Sequence, residues 1–172
     1  SVETCGYWKM FSPPVCRSVD GNFFTVKKFM KIFIYSMTNS GFYFYNNTTG
    51  ILVDGLYGRG PYQCFSPFPQ SLFRNVIKKE GIFSHMDGII FTHEHGDHKD
   101  PDLLYYVAHN YSPVSVYSYE TLVEKPELQQ IEKGIYRLQF SEYEIYFIDA
   151  QHEGRESGDE LFQVKTCMLV IR

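Results

Sequence analysis

Asp87-Gly88-Ile89-Ile90-Phe91-Thr92-His93-Glu94-His95-Gly96-Asp97-His98 is the stretch on which both fold and chemistry turn. Its first half is a short apolar run bounded by turn residues, the pattern of a buried strand. Its second half sets His93, His95, Asp97 and His98 directly at the end of that strand. Imidazoles and a carboxylate withdrawn from water together carry a desolvation cost that a cation or hydrogen bonds must offset, and both ligand types suit zinc and its first-row neighbours. His93 and His95, two apart in extended chain, can point the same way, whereas Asp97 and His98 follow Gly96, which permits a sharp turn. One segment can thus address two adjacent ions. The bland alternative, a polar loop of surface histidines, suits a lone histidine better than this ordered cluster. Glu94, between the ligands, is expected to face solvent, and the isolated His85 and His109 to have ordinary structural or surface roles.

Upstream, Lys31 to Met37 and Gly41 to Tyr45 suit strands, Asn46-Asn47-Thr48-Thr49-Gly50 supplies turn chemistry, and Ile51-Leu52-Val53 completes a hairpin ending in Asp54-Gly55. Asp54 is placed either to orient a metal ligand from behind or to cap its Gly55 turn. Leu56 to Gln70, crowded with Gly, Pro, Tyr and Phe, reads as an ordered surface loop that shapes a pocket. Tyr57 and Arg59 are its candidate substrate-binding residues, with Tyr62 and Phe65 beside them; Arg59 suits an anionic group, although aromatic loops also pack on cores. Ser71 is expected to cap a helix running through Glu80, with Leu72, Phe73, Val76 and Ile77 on one face.

Downstream, Pro101 suits a first helical turn, and Leu103, Leu104, Val107 and Ala108 share a face. Strands are expected at Val114 to Tyr119, Ile135 to Phe140, Glu144 to Ile148 and Lys165 to Ile171. Strands interspersed with helices indicate an α/β layered architecture. Residues 1–29 are irregular and form an extension of unknown role; Met30 opens the domain, which spans 30–172.

The bulk properties narrow the partners. A chain of 172 residues that is 44% hydrophobic and 17% aromatic fits one packed domain. A formal charge of −4 offers no basic footprint for a phosphate backbone, so nucleic acid is not favoured. Cys5, Cys16, Cys64 and Cys167 form no Cys-x-x-Cys pair and read as unpaired thiols of a reducing compartment. No run is long enough to cross a bilayer and no signal peptide is visible, so the expectation is a cytoplasmic protein away from membranes.

Thr92-His93-Glu94-His95-Gly96-Asp97-His98 resembles the His-x-His-x-Asp-His signature of the metallo-beta-lactamase superfamily. The hairpin closing on Asp54-Gly55 ahead of it is similar to that family's order of elements, and the resemblance covers roughly Met30 to Arg172. It implies an αββα sandwich. It also implies that His93, His95 and His152 hold a first ion, His152 following the strand-like Tyr146-Phe147-Ile148-Asp149-Ala150-Gln151, while Asp97 and His98 belong to a second. The ions, most simply zinc, with manganese or iron also suited to these donors, would lower the pKa of a water and polarise the substrate oxygen, with Asp97 orienting the nucleophile.

Family members take a bridging aspartate and a final histidine from a second half. Here Asp159 precedes the last strand and no histidine follows His152, so the domain reads as truncated after its first half. The first site remains competent, the second is weak unless a missing segment or a complementing chain completes it, and open sheet edges favour a homodimer. The expected function is a metal-dependent hydrolase acting on a small ester, lactone, thioester or phosphorylated metabolite. The alternatives are a nuclease or phosphodiesterase of the same superfamily and a non-catalytic metal-binding or subunit-interaction module.

Overall fold

A computed structural model describes residues 31–37, 40–58, 68–110, 114–122, 125–155 and 161–172, with 110, 120, 122, 151–155 and 161–165 described by backbone alone. The extension 1–29 lies outside the described residues.

The chain first lays down a three-stranded meander, β1 (Phe33–Ser36), β2 (Phe42–Tyr45) and β3 (Gly50–Val53). The β2–β3 turn is fastened by the Asn46 side chain, whose Oδ1 accepts from the backbone N–H of Thr48 at 3.1 Å and of Thr49 at 2.8 Å. This is the usual device of a turn asparagine. Helix α1 (Gln70–Lys78) and a 3₁₀ turn (Gly81–His85) lead to β4 (Met86–Phe91), which lies parallel to β3. Helix α2 (Pro101–Asn110) then returns the chain to β5 (Ser115–Ser118), parallel to β4, and the short α3 (Tyr119–Leu122) leaves it. The first sheet is therefore mixed, in the order β1-β2-β3-β4-β5. Strands β6 (Leu128–Glu132), β7 (Ile135–Phe140), β8 (Tyr143–Arg155) and β9 (Leu161–Ile171) form a second, wholly antiparallel sheet in sequence order.

Strand alternation sorts the core into two bodies. Ile89 and Phe91 of β4 join Leu52, Val76, Ile77 and Val107 beneath the helices, while Ile90 joins Val53, Tyr143, Ile145 and Phe147 between the sheets. β4 is thus buried on both faces, as its uninterrupted apolar run requires. The architecture is mixed α/β with two sheets and few helices. Its described layers are helices, first sheet and second sheet, with Met168 and Val170 exposed on the second sheet. No described helix is long and apolar enough to cross a membrane.

Several expectations need correction. α1 begins after Pro69, which supplies no side-chain cap, so Ser71 lies inside the first turn and is not the cap; the helix stops at Lys79, whose N–H donates to the Val76 carbonyl and whose left-handed φ of 50° turns the Glu80 N–H back onto the Asn75 carbonyl. Its apolar face does bury Val76 and Ile77 and packs Leu72 and Phe73 on the core. On α2, Val107 is buried and Leu104 packs against the same core, but Ala108 is exposed. β6 escaped prediction because Leu128-Gln129-Gln130-Ile131-Glu132 is mostly polar and exposed, as an edge strand tolerates. β8 and β9 are far longer than their apolar segments, since backbone pairing carries them on to Arg155 and back from Leu161.

Candidate metal centre

The centre is built where two parallel strands end together. Val53 of β3 pairs with Ile90 of β4, so the residues just beyond them meet: the Asp54 N–H donates to the Ile90 carbonyl at 2.9 Å. Asp54 takes a left-handed φ of 47°, a conformation aspartate tolerates better than most residues, and this turns its carboxylate across to the neighbouring strand end. There Oδ1 accepts from the Thr92 N–H at 2.8 Å and Oδ2 from the Thr92 hydroxyl at 2.7 Å.

A hydroxyl has one hydrogen, and Thr92 gives it to Asp54. Its oxygen, 2.9 Å from His93 Nδ1, is then left to accept. His93 is thereby fixed as the Nδ1–H tautomer, with the lone pair on Nε2, the form a metal ligand needs. Oδ2 of Asp54 also lies 3.1 Å from His98 Nδ1, a buried nitrogen without a well-aligned hydrogen bond. Asp54, itself buried, therefore backs two of the expected ligands and is not confined to its own turn.

The loop after β4 curls because the N–H groups of His98 and Lys99 both donate to the His95 carbonyl, each at 2.9 Å. It brings the imidazoles together: ring centroids of His93 and His95 are 4.7 Å apart and those of His93 and His98 3.9 Å. Asp97 Oδ2 lies 3.6 Å from His98 Nε2. His93, His95, Asp97 and His98 are thus gathered as one cluster, backed by Asp54.

Tyr57 is fully buried, its ring meets Phe68 edge-on at 5.4 Å and its hydroxyl donates to the Met37 carbonyl at 3.4 Å, so among the described residues it packs in the helix-side core. Arg59, Tyr62 and Phe65 lie outside the described residues. His152 does not close its strand; β8 continues to Arg155, with His152 opposite Val164 of β9, and its side chain lies outside the described atoms. Glu94 is not simply solvated, because its carboxylate accepts from Lys99 Nζ and from the Ser118 hydroxyl. His85 stacks on Tyr45, and His109 stacks on Tyr105.

Sequence reasoning gave no role at this centre to Thr92, Lys99, Ser118 or Cys167. Thr92 alone carried a signal, a hydroxyl immediately ahead of the first histidine. Cys167 of β9 is buried and free, and its thiol points at the Thr92 carbonyl, 3.8 Å away. Burial, and then the nearby carboxylates of Asp54 and Asp149, push that thiol from an ordinary 9.0 up to about 12. Beside it, a cavity of about 320 Å³ opens between the sheets, walled by Phe42, Phe44, Leu169 and Ile171 with Asp54 and Thr92 at its polar end.

The donor chemistry fits a borderline divalent cation: clustered imidazoles, one with its tautomer set, and a carboxylate alongside. Among the described residues no three donors converge on one ion, and the implied first set includes His152. No protein-family model matches the chain, and no curated protein matches it.

Proposed function

We propose that the chain is a metal-dependent hydrolase of the metallo-beta-lactamase type, built on that superfamily's αββα plan, acting on a small ester, lactone, thioester or phosphorylated metabolite. One observation carries this reading: His93, His95, Asp97 and His98 are gathered at the end of β4, with Asp54 and Thr92 behind them fixing the tautomer of His93. His93 and His95, with His152, would hold one divalent cation; Asp97 and His98 would face a second. Bound there, the cation would supply Lewis acidity towards a carbonyl or phosphoryl oxygen and acidify a water.

The chain's own residues have the remaining tasks. Asp97 orients the attacking water by accepting its hydrogen bond. Asp54 holds Thr92 and His98 in place and compensates the charge gathered around them. The acidic balance of the chain favours a small substrate over a polynucleotide.

The test is elemental analysis of the purified chain beside a His93→Ala, His95→Ala double variant. About one zinc-like ion per chain, lost in the variant, is the expected result and also names the metal. A folded wild-type protein that holds no metal overturns the reading. A panel of carboxylic and phosphate esters then separates the substrate classes.

A further inference from the structure

Glu94 stands between two ligand histidines yet contributes nothing to their face. Its carboxylate reaches instead to the last residue of β5, Ser118, which lies opposite Phe91 in the β4–β5 pairing, and there accepts the serine hydroxyl. Its other oxygen accepts from Lys99, on the far side of the turn that contains Asp97 and His98. The Lys99 side chain is only 15% exposed, and its Nζ lies 5.6 Å over the Phe91 ring. An ammonium held in such a place needs a counter-charge, and Glu94 provides it.

Resting on the metal reading above, we propose that Glu94 is a positioning residue. Together with Lys99 and Ser118 it clamps the histidine loop to the end of β5, so that His93 and His95 hold their orientation before a cation arrives. The charge of Lys99 also keeps this carboxylate out of the ligand set. The clamp works opposite the Asp54–Thr92 side of the loop, which is therefore fastened from two neighbouring strands.

The test uses the full chain as wild type and as Glu94→Ala, Glu94→Gln and Ser118→Ala. Three quantities are read: zinc affinity by chelator competition, the visible spectrum of the Co(II)-loaded protein, and thermal unfolding without metal. Glu94→Ala is expected to weaken zinc binding about tenfold or more and to alter the Co(II) bands. Glu94→Gln keeps an acceptor for Ser118 and should recover most of the affinity. A Glu94→Ala protein that unfolds as wild type does, and matches it in zinc affinity and Co(II) spectrum, overturns the proposal. Should Glu94→Ala not fold, Ser118→Ala decides: a several-fold loss of affinity supports the clamp, and wild-type affinity overturns it. A wild-type chain that takes up neither ion defeats the metal reading itself, an outcome distinct from a metal-binding wild type with indifferent variants.

Discussion

At the scale of single residues, the hydroxyl of Thr92 sets the chemistry of its neighbours. Two acceptors compete for its one hydrogen, Asp54 Oδ2 at 2.7 Å and His93 Nδ1 at 2.9 Å, and the carboxylate is the stronger. The order Asp54, Thr92, His93 thus runs in one direction and leaves Nε2 of His93 ready to ligate. Thr92→Val preserves the shape but removes the hydroxyl, so Nδ1 loses its acceptor. Zinc affinity in chelator competition should fall about tenfold or more, while Thr92→Ser, which keeps the hydroxyl, should stay near wild type. Equal affinity in the valine variant would show that the tautomer is set some other way.

At the scale of elements, turns and strand ends position the site. The β2–β3 turn is tied to the β7–β8 turn by Glu142, whose carboxylate accepts from Thr48 at 2.6 Å, from Ser141 at 2.8 Å and from Thr49 at 3.1 Å. Those bonds, Thr48 first and then Ser141, lower its pKa to about 2. The same hairpin depends on Gly50. A Cβ there would lie 1.9 Å from the Tyr43 hydroxyl and 2.5 Å from the ring carbon bearing it. Tyr43 is fully buried, with Phe83 against it at 4.8 Å, and has nowhere to retreat. Gly50→Ala should therefore cost about 1–3 kcal/mol of stability by urea unfolding, an overpacking penalty. Because β3 delivers Asp54, zinc affinity should fall in the same variant.

At the scale of the whole molecule, both cores bury groups that titrate in alkali. Burial first raises Cys167 from 9.0 to about 12 and raises Tyr43, Tyr117 and Tyr143 above an ordinary 10.0. Each holds its proton more tightly when folded than when unfolded. Its contribution to stability is therefore complete below the unfolded value and is lost as pH climbs towards the folded one. The urea midpoint should be level near pH 8 and fall steadily from about pH 9 towards 12. A midpoint unchanged at pH 11 would mean that these four groups are not buried as described. Tyr43 lies in the helix-side core and the other three between the sheets, so the decline tests both bodies at once.

The sequence by itself determined what is local. The apolar run at Ile89 to Phe91 demanded a strand buried on two faces, Asn46 to Gly50 demanded a turn, and the spacing after Thr92 set His93, His95, Asp97 and His98 on one short loop, because periodicity and turn propensity act within a few residues. Only the tertiary structure decided the rest. Asp54 backs the histidines because parallel pairing of β3 with β4 brings positions 54 and 92 together, which spacing along the chain cannot announce. Tyr57 became core and Glu94 a half-buried counter-charge to Lys99 because burial depends on what packs from elsewhere in the chain. The lengths of β8 and β9 followed for the same reason: partners far apart in sequence satisfy each other's backbone hydrogen bonds, whatever their side chains.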